Sequence, residues 1–205
     1  MPRLSEKTLE LTICSQISFY AGHLMTWFGL TQREEARVGF DACTALNGRL
    51  FVFQFKASNI TTNRGARRFT APHNQMEKLQ GICGGIKGVI YYVFPLTGNT
   101  EELAASPYIL DNTYLLDVAD LSNPMGEPTT KTGNLRRSGN HYVDVIPPIA
   151  IIHSKPFEVS LTKAKEVAQK ITNLEGIMPH FIDNFDKFDV YRTKIGRKVY
   201  GAILH

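Results

Sequence analysis

The sequence predicts an α/β fold whose first hundred residues run helix, strand, strand, helix, strand, with a mixed β-sheet flanked by helices. Three observations carry this. Two apolar-rich runs, GFDACTAL and RLFVFQFKAS, flank Asn47-Gly48, the strongest short-range hairpin signal. The uncharged run GVIYYVFPL, β-branched and aromatic, reads as a buried strand. Segments before and between these runs place apolar residues at helical spacing.

In chain order, Ser5 can cap a first helix whose apolar positions Leu9, Ile13, Ile17 and Tyr20 recur near that spacing, fading between Gly22 and Gly29. The hairpin runs from about Val38 to Ser58. A polar, basic loop, SNITTNRGARRF, follows. Thr70 and Pro72 signal the start of a second helix and Gly84-Gly85 its end, with Met76, Leu79 and Cys83 on one stripe. The buried strand GVIYYVFPL completes a core over residues 5–96. Residues 97–205 read as additional structure completing one domain: TYLLDVADL as a strand, 122–140 as a long Gly/Pro-rich loop, YVDVIPPIAIIHSKP as extended chain broken at Pro147-Pro148, and an amphipathic helix from Ser160.

Composition bounds the function. Length and a hydrophobic fraction of 43% suit one globular domain with a sizeable core. Nothing approaches the apolar run of a membrane span, and MPRLSEKTLE is too polar for a secretory signal, so a cytoplasmic protein with no membrane partner is expected. Cys14, Cys43 and Cys83 are odd in number and widely spaced, which predicts reduced thiols. A net charge of +4 permits a polyanion partner without demanding one. No phosphate-binding glycine loop or nucleophile elbow appears, which argues against NTP-driven work.

A two-residue turn at Asn47-Gly48 pairs Leu46 with Arg49, so counting back Asp41 falls opposite Gln54 and Gly39 opposite Lys56. Opposed residues, and residues two apart on one strand, project to the same face. Asp41 and Gln54 are then roughly 5 Å apart at Cβ, with Lys56 about 7 Å along the strand. The other face carries Phe40 with Phe55, Ala42 with Phe53, and Thr44 with Phe51, an aromatic core face. Such a polar trio suits phosphodiester hydrolysis, which needs a hard cation held by oxygen ligands and a cation or donor near the attacking water. Asp41, the Gln54 side-chain carbonyl and the Phe55 main-chain carbonyl would cradle Mg²⁺, with Mn²⁺ as substitute, and Lys56 would orient the water.

The segment GFDA…LFVFQFK resembles the PD-(D/E)xK nuclease superfamily, with an Asp on one hairpin strand and E-x-K on the next. Asp41 matches the Asp, Gln54 the Glu and Lys56 the Lys, in the Q-x-K form seen in Mrr-like restriction endonucleases. The segment HNQMEKL resembles the helix opening after E-x-K in Holliday-junction resolvases, where a Gln faces the metal, a role that would fall to Gln75. The resemblance covers residues 5–96 and implies a restriction-endonuclease-like core and a metal-dependent endonuclease, with DNA favoured over RNA and a homodimer by analogy.

Gln54 departs from the acidic pattern, since a neutral amide is a weaker ligand than a carboxylate. Glu10 on the first helix or Glu35, in TQREEARVGFDA, would complete the site. On a straight strand Glu35 lies roughly 20 Å from Asp41 and needs a bend to reach it. The alternative is a catalytically weakened module of the same fold that binds nucleic acid or a protein partner without cleavage. Arg64, Arg67 and Arg68, in the loop after Lys56, are expected to grip flanking phosphates. Arg136, Arg137 and the cations of YRTKIGRKVYG are further candidates for backbone contacts, and His73 is expected at a helix N-terminus. His141 and His153 have no metal-finger spacing.

Overall fold

The structure is a computed structural model and describes residues 2–22, 25–46, 49–121, 139–153 and 157–172. The Asn47-Gly48 turn, nearly all of the Gly/Pro-rich loop with Arg136 and Arg137, and the C-terminal basic cluster lie outside the described residues.

The expected first helix is α1 (Glu6–Tyr20), capped by Ser5, whose hydroxyl accepts the Thr8 N–H at 3.0 Å. It is followed by β1 (Thr26–Gly29), α2 (Gln32–Val38), β2 (Ala42–Leu46) and β3 (Arg49–Phe55). Then come β4 (Arg67–Pro72), α3 (His73–Cys83), β5 (Ile90–Pro95) and α4 (Thr100–Ala105). The chain continues through β6 (Thr113–Asp117), β7 (Asn140–Ile146), β8 (Ile149–Ile152), β9 (Phe157–Ser160), β10 (Thr162–Lys163) and α5 (Ala164–Thr172). The hairpin has the register expected of a two-residue turn, Leu46 opposite Arg49 and Ala42 opposite Phe53.

Six strands form a mixed sheet in the order β1-β2-β3-β5-β6-β10, parallel only between β3 and β5. The parallel pair is where the βαβ-like crossover through α3 returns the chain to the sheet. One face packs under α1 and α5, which bring Leu9, Ile13, Ile17, Ala164 and Ala168 against Phe51, Phe53, Phe55 and Val93. The Phe53 ring stacks on Tyr91 at 6.0 Å and meets Trp27 at 5.6 Å, which makes the aromatic core face expected of the hairpin. Phe40 is the exception. It leaves that face and packs in the opposite cluster, because the chain turns before it enters β2.

That opposite face is not covered by helices alone. A second, antiparallel sheet in the order β4-β7-β8-β9 shares it with α3. Phe69, Ala71, Val143, Val145, Ala150 and Ile152 from the second sheet join Val52, Tyr92 and Phe94 from the first, with Met76 and Leu79 of α3, in one buried cluster. The architecture is therefore mixed α/β, with helices on one face and a helix plus a sheet on the other.

Three local expectations are corrected. Arg67 and Arg68 open a strand rather than ending a loop, and Thr70 lies inside that strand. Ser160 and Thr162 belong to β9 and β10, so the last helix begins at Ala164. The approach to Asp41 is the helix α2 rather than a continued strand. The three cysteines are buried free thiols, and no helix among the described residues is long and apolar enough to cross a membrane.

Candidate functional site

Asp41 stands one residue before β2, where the regular ladder stops. Its own N–H donates to the Phe53 carbonyl at 3.1 Å, so the expected main-chain pairing with Gln54 is replaced by a side-chain one. Asp41 Oδ2 accepts the Phe55 N–H at 2.6 Å and Gln54 Nε2 at 2.7 Å. Gln54 Nε2 also donates to the Phe55 carbonyl at 3.1 Å. The two amide hydrogens of Gln54 are thus engaged, while its Oε1 is buried without a hydrogen-bond partner.

Burial dominates the electrostatics of this corner. Asp41 is 8% exposed, and desolvation pushes its carboxyl up to about 7, against the Phe55 N–H and the Lys56 charge, which both pull it down. Lys56 is buried at the end of β3, near enough for its charge to act on Asp41 and Glu35. The three residues expected to meet are gathered at one end of the hairpin, with Asp41 and Gln54 in direct contact.

Glu35 reaches this end because α2 is a helix. The rise drops to about 1.5 Å per residue, and the chain then reverses at Gly39, whose N–H caps the Glu35 carbonyl at 2.7 Å with φ +89°. A side chain strains that left-handed backbone and meets Lys78 Cβ at 3.4 Å. Gly39→Ala is expected to cost about 1–2 kcal/mol of stability and to loosen Glu35 from the site, read by thermal melting.

From the other side α1 presents Glu6, Lys7 and Glu10. Glu10 is buried beside the apolar stripe, and Lys7 Nζ donates to its Oε1 at 2.6 Å. Glu6, Lys7, Glu10, Leu30, Gln32, Glu35 and Asp41 line one cleft of about 380 Å³. Both acids named as alternatives for completing the site therefore line it. Burial also raises the Glu35 carboxyl above its ordinary value.

Gln75 lies in the first turn of α3, its main chain beside Gly39 and its Oε1 buried without a hydrogen-bond partner. Sequence reasoning missed Glu6, Lys7 and Tyr92. Glu6 and Glu10 stand one helical turn apart, a spacing visible in the sequence. Tyr92 had no such signal. It neighbours Gln54 through the parallel register of β3 and β5 and is fully buried with an unpartnered hydroxyl, and burial, with the Asp41 charge adding to it, pushes its pKa well up.

Arg67 and Arg68 are arranged otherwise than expected, while Arg64 lies in the expected loop. Arg64 is exposed in a turn. Arg67 pairs with Glu102 at 3.0 Å, and Arg68 grips Asp144 with bonds of 2.6 and 2.7 Å. His153 bonds the same Asp144 at 2.7 Å. These two arginines tie β4 to α4 and β7 rather than standing in a loop beside Lys56. His73 does begin a helix, and its Nδ1 meets His141 Nε2 at 2.8 Å inside the core.

Among the described residues, no three His, Cys, Asp or Glu side chains stand close enough to hold a metal ion in their present positions. The donors nevertheless suit a hard cation by type: carboxylates of Asp41, Glu10 and Glu35 in one cleft, and beside Asp41 an amide oxygen lacking a partner. No protein-family model matches the chain, and neither does any curated protein or any solved structure.

Proposed function

We propose that this protein is a divalent-metal-dependent nuclease with a restriction-endonuclease-like core, acting on DNA in the cytoplasm. The observation that carries the reading is the convergence at Asp41. Gln54 touches it, Lys56 lies near it, and Glu10 and Glu35, from two helices on either side, line its cleft.

Asp41 would be the main carboxylate ligand, with Gln54 Oε1, the Phe55 carbonyl and Glu35 or Glu10 completing the set. A bound Mg²⁺ or Mn²⁺ supplies a polarised phosphoryl oxygen and a water of lowered pKa. The Phe55 N–H holds the Asp41 carboxylate in place, and the Gln54 amide, whose NH2 faces Asp41 and the Phe55 carbonyl, would turn over to offer Oε1 to the ion. Lys56 orients the attacking water and offsets charge developing on the phosphate. Arg64 is the exposed cation beyond β3 suited to a flanking phosphate. A homodimer would set two such sites against two strands.

A weakened module that binds without cutting is the second reading, favoured by the amide at Gln54, where an acid would bind the metal better. The deciding experiment is calorimetric titration of Mg²⁺ and Mn²⁺ into wild type, Asp41→Ala and Lys56→Ala, with plasmid nicking on the same samples. Wild type is expected to bind and nick. Asp41→Ala should lose both, and Lys56→Ala should lose nicking while keeping the metal. Nicking retained by both variants would refute the nuclease assignment.

A further inference from the structure

The cleft already holds a cation of its own. Lys7 Nζ sits 2.6 Å from Glu10 Oε1, and both atoms lie 3.7 Å from the point where a side chain at Gly29 would begin. The ammonium is thus seated over the bare backbone of β1. The charges of Glu10, Glu35 and Asp41 all act on it. It lines the same cleft as those three carboxylates, and its side chain is about half exposed, so it can leave without unpacking the core. One hydrogen bond away from the Asp41 carboxylate that lines the cleft, buried Gln54 donates both amide hydrogens to Asp41 and Phe55 and leaves its Oε1 without a partner.

We propose that Lys7 is the resident counter-ion of this site and that loading a hard divalent cation is an exchange, in which the ammonium leaves Glu10 and the incoming ion takes the released carboxylate. The inference rests on the metal-site reading above and adds a competitor to it. An ammonium hydrogen-bonded to one ligand both neutralises the cleft and occupies a donor, so each act of metal binding must first break that pair. The exchange makes α1 a positioning element, since its first turn carries both the displaced group and the ligand it frees. The displaced ammonium remains at the rim of the cleft, next to the bound ion.

The test is calorimetric titration of Mn²⁺ alone, at low salt, into the wild-type chain, Lys7→Met and Lys7→Arg, with thermal melts confirming that all three fold. Lys7→Met should bind Mn²⁺ about two- to fivefold more tightly than wild type, the fold-change expected for freeing one partly exposed ion pair. Lys7→Arg, which keeps the charge, should bind no more tightly than wild type. Equal affinity in all three, or weaker binding by Lys7→Met, would overturn the exchange and leave the metal site standing. No Mn²⁺ uptake by any of them, Lys7→Met included, would overturn the exchange and the metal-site reading together.

Discussion

Asp41→Asn is expected to raise the melting temperature of the metal-free protein at pH 8, while removing metal uptake and nicking. The Asp41 carboxyl, ordinarily near 3.8, is pushed to about 7 by burial in the folded chain. The folded state therefore holds this proton more tightly than the unfolded state, and stability falls as pH rises from about 4 to about 7. Above that range the buried group is ionised and the loss is complete. Each pKa unit corresponds to about 1.4 kcal/mol, so the neutral isostere should recover about 2–4 kcal/mol, or about 5–10 °C for a chain of this size. Its Oδ1 can still accept the Phe55 and Gln54 N–H groups that bond Asp41 Oδ2. At pH 3 and below Asp41 is neutral in both the folded and the unfolded chain, and the two proteins should melt together. His141 works in the opposite sense, since burial and then the neighbouring His73 push it from 6.5 down to about 4. The folded state refuses a proton that the unfolded chain accepts, so stability is lost as pH falls through that window. The two slopes oppose each other in wild type, and Asp41→Asn should unmask the His141 loss as a steady fall in melting temperature below about pH 6.5. A variant less stable than wild type at pH 8 would show that the Asp41 charge is compensated in place.

Gln54→Glu is expected to act in the reverse direction. The substitution exchanges a donor 2.7 Å from Asp41 Oδ2 for a second carboxyl and also removes the bond to the Phe55 carbonyl. Two carboxylates at that distance in a buried site cannot both ionise without a cation between them. Without metal at pH 8 the variant should melt about 10 °C below wild type, on the order of 3 kcal/mol. Saturating Mn²⁺ should restore most of that loss, because the added acid is a better ligand than the amide. Melting curves with and without Mn²⁺ read both effects. Plasmid nicking on the same samples separates the two functional readings. If the variant cuts where wild type does not, the parent is the weakened binding module.

Elements whose signals are local were legible in the sequence. The Asn47-Gly48 signal predicted the register seen between β2 and β3, Pro72 and Gly84 bracketed α3, and GVIYYVFPL gave β5. The missed elements depend on distant partners. In β4, Arg67 and Arg68 read as a basic loop because the acids that neutralise them, Glu102 and Asp144, lie 35 and 76 residues away. In α2, seven residues are too few for a periodicity to emerge, and Gly39 after Val38 was the available stop signal. β1 is four residues long and is defined by its pairing to β2. Within the site, the hairpin geometry brought Asp41 and Gln54 into view. Glu6 stayed hidden because an acid in a helix's first turn ordinarily serves only the helix dipole, and Lys7 because its pairing with Glu10 three residues on is an ordinary feature of a helix surface.

The parallel pairing of β3 with β5 has a kinetic consequence. The hairpin can close within microseconds because its contacts are local. Pairing Val52 with Ile90 and Gln54 with Tyr92 must wait until the intervening chain of β4 and α3 has been looped back. Until then the corner lacks its central strand, and Asp41 should titrate as an ordinary surface acid. Folding at pH 5 to 6 should therefore take up a proton at Asp41 late, after the first fluorescence change, and an indicator dye in stopped flow would time the moment when the site becomes dry.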